Sequence, residues 1–145
     1  MTSVKRLLQK KGREVYTASP NLPILEALRQ MRDRNVGALP VVENGAVVGI
    51  FSERDFARKC CQVEKIDLNV PIRDFMTSPV IFVQANETIE DCMARMTERH
   101  IRHLPVLDDN DQLSGIISIG DVVKEVISDH EFMIQNLENY IAGKK

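Results

Sequence analysis

Two short stretches place a hydroxyl and a carboxylate three residues apart where an apolar run breaks off: "GIFSERD", Gly49 to Asp55, and "GIISIGD", Gly115 to Asp121. A strand that turns directly into a helix presents unpaired backbone amides, an anion site, and a hydroxyl at Ser52 or Ser118 is placed to serve a phosphate there. A carboxylate one turn into the helix, Asp55 or Asp121, can accept from both hydroxyls of a ribose. Phosphate and diol together describe a nucleotide. The same residues also read as plain helix starts, with each serine an N-cap and each aspartate at the third helical position, favoured by the helix dipole and able to close a capping box. The residues alone leave both readings open.

The elements that must position these groups come as a duplication. "NLPILEALRQMRDRNVGALPVV" from Asn21 aligns at a constant offset of 65 with "NETIEDCMARMTERHIRHLPVL" from Asn86. One extra residue, where "ENGAVVG" becomes "DDNDQLSG", makes the offset 66 and brings Ser52 and Asp55 onto Ser118 and Asp121. Ile24, Ala27, Leu28 and Met31, and likewise Ile89, Cys92, Met93 and Met96, recur at helical spacing. They predict buried stripes on helices started by Asn21 and Asn86. "ALPVV" and "HLPVL" predict short strands, joined through turns at "ENG" and "DDND" to "AVVGIFS" and "QLSGIIS" as hairpins. Closing helices follow Ser52 and Ser118 and carry Phe56 and Cys60, or Val122, Val126 and Ile127. Initial strands are expected at "VYTAS" and "VIFVQ".

Each copy thus reads strand, helix, strand, strand, helix, an α/β (α+β-like) pattern. The copies span residues 13–64 and 75–129, linked through the Pro71 region. Units of roughly 60 residues bury little core alone, so the copies are expected to lean on each other. Residues 130–145 form a helical extension without a counterpart in the first copy; its Met133, Leu137, Tyr140 and Ile141 suit either its own domain or another subunit. Val4, Leu7 and Leu8 predict a short helix at the other end.

With 145 residues, 43% hydrophobic and 28% charged, formal charge -2 and pI ≈ 5.9, the chain has no overall field to recruit nucleic acid. The basic cluster "VKRLLQKKGR" is expected to cover a solvated helix face. No apolar run approaches the roughly 18 to 20 residues that span a bilayer, and no secretory signal pattern follows Met1, so no membrane partner and a cytoplasmic setting are expected. Cys60, Cys61 and Cys92 form no CxxC and are odd in number; with His100 and His103 they suggest free thiols and no metal site. No nucleophile elbow, Walker loop or histidine-carboxylate constellation appears, so catalysis is not expected.

"ALPVV", "GIFSERD", "HLPVL" and "GIISIGD", each pair with its preceding amphipathic helix, resemble the two copies of a tandem cystathionine beta-synthase (CBS) domain pair, or Bateman module, here without a fused domain. The resemblance implies two domains packed about a pseudo-twofold axis, two clefts for adenine nucleotides (AMP, ADP or ATP) or S-adenosylmethionine, homodimeric assembly, and regulation in place of chemistry. By position it implies that Asp55 and Asp121 bind ribose and that Ser52 and Ser118 stand nearest phosphate. The backbone at Thr17 and Ala18, and at Val83 and Gln84, would border the nucleoside. Basic residues ahead of the "LPV" strand reach phosphate in the family. Here Gly37 and Ala38 stand in one copy and Arg102 and His103 in the other, while Arg54 faces Gly120, so the clefts are expected to differ. The regulated target is an unidentified protein or the dimer itself. A ligand-free interaction or scaffold module is the alternative.

Overall fold

The computed structural model describes residues 2–12 and 14–143; Arg13, Lys144 and Lys145, at the edges of the expected first copy and C-terminal extension, lie outside the described residues. The elements run α1 (Val4–Lys11), α2 (Ile24–Arg34), β1 (Ala38–Glu43), β2 (Ala46–Ser52), α3 (Glu53–Cys60), a 3₁₀ turn at Ile72–Asp74, β3 (Val83–Gln84), α4 (Ile89–Arg99), β4 (His103–Leu107), β5 (Leu113–Ser118) and α5 (Ile119–Ile141). This is the mixed α/β architecture expected of a duplicated unit. Among the described residues no helix is long and apolar enough to cross a membrane.

The duplicated core follows its periodicity. Ile24, Ala27 and Met31 on α2, and Ile89, Cys92 and Met96 on α4, are buried. Met93 departs from the expected stripe and is 40% exposed, since a helix of this length buries one narrow face. β1 and β2 pair antiparallel, Ala38 opposite Ser52, with a bulge between Val41 and Val42. Their two-residue turn has Asn44 and Gly45 both at positive φ, 53° and 80°, as a hairpin of matching twist requires. β3, β4 and β5 form a three-stranded sheet in that order.

Three local expectations need correction. Asn21 and Asn86 do not start the helices. Pro23 precedes α2 without a side-chain cap, whereas Thr88 caps α4 in a full capping box with Asp91. In the first copy "VYTAS" forms no strand, only an isolated bridge from Ala18 to Val41, and its counterpart shrinks to the two residues of β3. The second closing helix and the extension are one continuous α5 of 23 residues.

The chain divides into two compact units that do not follow sequence order. The α2 unit holds Glu14–Phe82 with the hairpin tip Leu107–Leu113; the α1 unit joins the N-terminal segment to Val83–Val106 and to the chain from Ser114 onward. The stretch ahead of each copy therefore folds with the other copy. In the α1 unit, Val4 N–H donates to Glu87 O at 2.8 Å and Ile89 N–H to Thr2 O at 3.0 Å. In the α2 unit the same two bonds recur as Ile72 N–H to Leu22 O at 2.9 Å and Ile24 N–H to Val70 O at 3.0 Å.

Val4 and Ile72, both fully buried, are thus counterparts, and "VKRLL" repeats as "IRDFM". Leu8 and Met76 close these segments, and each lies against a strand glycine. A Cβ on Gly115 would meet Leu8 Cδ2 at 2.9 Å; one on Gly49 would meet Met76 Sδ and the Thr77 carbonyl at 2.8 Å. Gly49→Ala should cost about 1–3 kcal/mol of unfolding free energy, at least as much as Gly115→Ala, because a paired backbone carbonyl yields less than a leucine methyl. Denaturant titration of both variants checks this, and losses below about 0.5 kcal/mol in both would contradict so close an approach of the exchanged segments.

Candidate functional site

Both serine and aspartate pairs sit where a strand passes into a helix without a loop. At α5, Ser118 has extended backbone and its Oγ accepts from Asp121 N–H at 3.1 Å, while Asp121 Oδ2 accepts from Ser118 N–H at 2.9 Å, a closed capping box. The first helical amide is also engaged: Ile119 N–H donates to Arg102 O at 2.8 Å. At α3 the layout repeats, with Ser52 Oγ accepting from Asp55 N–H at 3.1 Å and Glu53 N–H donating to Gly37 O at 3.1 Å.

The aspartates differ in their further partners. Lys11, the last residue of α1, places its Nζ 2.5 Å from Asp121 Oδ2 and 2.7 Å from Ile116 O. A cation at a helix C-terminus is favoured by the dipole, and Gly12 just beyond it ends α1 at a φ of 95° that suits glycine. Burial pushes the Asp121 carboxyl upward, but the hydrogen bonds from Lys11 and Ser118 outweigh it and hold the group below its ordinary range. Asp55 instead accepts from the neutral Thr77 hydroxyl, Oγ1 to Oδ2 2.7 Å. Thr77 is fixed by pairing with β2, donating N–H to Ile50 O at 2.8 Å and accepting from Ile50 N–H at 3.1 Å.

The other predicted residues divide between the units. Thr17, Ala18, Ser52, Arg54 and Asp55 lie in the α2 unit, and Val83, Gln84, Arg102, His103, Ser118 and Asp121 in the α1 unit. Ala18 is buried and pairs with β1, its N–H donating to Pro40 O at 3.0 Å, while Thr17 beside it is exposed. Val83, fully buried, and Gln84 are β3, next to β4, whose first residue is the half-buried His103. Arg102 is exposed at its side chain, and Arg54 is half-buried in the first turn of α3.

Lys11 and Thr77 escape a reading of the sequence alone because their roles depend on the exchanged leading segments. The cluster "VKRLLQKKGR" also does more than cover a solvated face. Lys10 Nζ lies 2.9 Å from Oε1 of Glu125, a buried carboxylate on α5. The Thr2 hydroxyl lies 3.1 Å from Glu125 Oε1 and 3.0 Å from Asp129 Oδ2, and its single proton serves one of them at a time. Among the cysteines, burial pushes the Cys92 thiol up to about 11, Cys60 is half-buried and Cys61 is exposed. No group of His, Cys, Asp and Glu among the described residues is arranged to hold a metal ion.

The family model of the CBS domain matches residues 4–61 and again 72–128, each match beginning at one of the paired residues Val4 and Ile72. CBS-pair proteins are regulatory modules. The chain is 35% identical to the CBS domain-containing protein YhcV of Bacillus subtilis, over 88% of this chain and 88% of that protein. Among solved structures it is similar to the CBS domain protein NE2398, at 44% identity and a TM-score of 0.83 over 88% of this chain and 99% of that one. It is also similar to the CBS domain pair of protein MJ0100, solved in complex with 5'-methylthioadenosine and S-adenosyl-L-methionine, at 28% identity and a TM-score of 0.77 over 89% of this chain and 98% of that one.

The capping and ionic contacts of Asp121 link it to acid stability. Its folded-state carboxyl is depressed from an ordinary value of 3.8, so its stabilisation is complete above that value and is lost as pH falls through the lower folded one. Asp121→Asn should therefore unfold more readily than wild type near neutrality, with the gap closing as the pH drops below the ordinary range of about 3.9. Denaturant midpoints across that range check it; a gap independent of pH would remove the carboxylate's charge from the account.

Proposed function

The chain belongs to the CBS domain family, and we propose that it is a regulatory module whose helix-start sites bind an adenine nucleotide (AMP, ADP or ATP) or a related adenosyl compound such as S-adenosylmethionine, with occupancy passed to a protein partner or to dimer geometry. The observation that carries this reading is the duplicated strand-to-helix junction, in which Ser118 and Ser52 cap α5 and α3 by the same bond to the amides of Asp121 and Asp55. The adenosyl ligands of the MJ0100 domain pair support the ligand class. In this reading the ribose diol meets Asp121 or Asp55 and the phosphate lies near Ser118 or Ser52. The backbones at Thr17 and Ala18, or Val83 and Gln84, border the nucleoside, and Arg54, Arg102 and His103 are the basic residues that differ between sites.

Asp121→Ala should weaken nucleotide binding by about tenfold to a hundredfold, since hydrogen bonds to a charged acceptor are worth about 1.5–3 kcal/mol. Calorimetric titration of wild type and D121A, freed of copurified nucleotide and checked for folding, measures it. Equal affinities, or no binding of any adenosyl compound by wild type, would reduce the serine and aspartate to helix caps.

A protein-interaction role is favoured by a separate feature. α5 carries Ile127 and, in its distal half, Phe132, Met133, Ile134, Leu137, Tyr140 and Ile141, all more than half exposed. A lone amphipathic helix end exposing so much apolar surface needs cover, and we assign it to a homodimer. Light scattering should give twice the 16.5 kDa chain mass, and Leu137→Glu should return it to that of one chain. A monomeric wild type at micromolar concentration would leave the face to a different protein.

A further inference from the structure

We propose that Lys11 sets the charge preference of the Asp121 site, making it select phosphorylated adenosine over the neutral nucleoside. The inference rests on the reading of Asp121 as the ribose-binding carboxylate and adds what the exchanged α1 brings to it. Lys11 Nζ is held at two points: 2.5 Å from Asp121 Oδ2 and 2.7 Å from the Ile116 carbonyl, at the end of β5. The second contact does not involve the carboxylate. When ribose hydroxyls take up the acceptors of Asp121, the ammonium remains tethered to Ile116 O with two of its three donors free.

The charge consequence differs by ligand. A phosphate at the start of α5 would stand within one helical turn of an ionised carboxylate, and two like charges at that range repel strongly at a partly buried site. Lys11 cancels that repulsion and offers a donor to the phosphate. Lys11 competes with the ribose of either ligand for Oδ2, but for neutral adenosine there is no repulsion to cancel and the competition alone is left. Removing the ammonium therefore moves the two affinities in different directions. At the sister junction Asp55 accepts from the neutral Thr77 hydroxyl, while the Lys59 ammonium is bonded to the Met76 carbonyl at 3.0 Å, so the ammonium paired directly with the helix-start carboxylate is a feature of the Asp121 site.

Lys10 provides an internal control. It carries the same charge one residue earlier in α1 but pairs with Glu125 at 2.9 Å.

The experiment uses the full chain carrying Asp55→Ala, freed of copurified nucleotide, so that Asp121 is the remaining helix-start carboxylate of the pair. Adenosine and AMP are titrated calorimetrically into this protein and into versions that add Lys11→Met, Lys11→Gln, Lys11→Arg or Lys10→Met, each checked by thermal melting. K11M and K11Q should weaken AMP about tenfold while adenosine binds as well or better; K11R and K10M should keep the AMP-to-adenosine ratio. Two uncharged replacements keep the test available if one of them fails to fold. Equal shifts for both molecules on loss of Lys11, or the same ratio change from K10M, would overturn the inference while leaving the ribose site standing. Binding of neither molecule to the unmodified Lys11 protein would remove the site reading and this inference with it.

Discussion

The structure depends on an exchange of leading segments. Thr2 to Leu8 is anchored by main-chain bonds to the start of α4, and Val70 to Met76 by the same bonds to the start of α2. Main-chain hydrogen bonds in a buried setting must be made by someone, and at these positions the opposite copy's leader makes them. Val4 and Ile72 are fully buried at the anchor points, so the exchange adds apolar burial to polar satisfaction. The strand glycines fit the same constraint, because Gly115 and Gly49 leave room for Leu8 and Met76 where any Cβ would intrude.

The helix-start aspartates inherit part of their difference from that exchange. Their own copies supply the same serine bond, a hydroxyl accepting from the third helical amide at 3.1 Å in each. Two contacts separate them: Asp121 also accepts from Ser118 N–H and closes a capping box, and the leader brings an ammonium to Asp121 but a hydroxyl to Asp55. The two junctions share the serine cap and differ chemically in what the aspartate carboxylate accepts.

Much of this was legible in the sequence wherever the cause is local. The hairpin at Asn44 and Gly45 follows from turn chemistry, and the burial of Met31 and Met96 follows from helical period. Ser52 and Ser118 are caps for the reason their spacing suggested. The failures have tertiary causes. Asn21 lies ahead of a proline-led helix start whose amides are met by Val70 and Leu68, so no side-chain cap is needed. "VYTAS" has strand composition, but only Ala18 finds a strand partner. Lys10 and Lys11 look like solvated charges until α1 is seen to fold beside α5, and nothing in their spacing announces that placement.

The exchange also bears on what happens when such a chain is cut. A half-length polypeptide ending between the copies would carry a leader with no start of α4 to bond and a start of α2 with no leader to cap it. Both sets of bonds need both halves, since the leader that meets the start of α2 is Val70 to Met76 and the one that meets the start of α4 is Thr2 to Leu8. The single chain carries both leaders with both helix starts, and the covalent link makes the exchange independent of concentration.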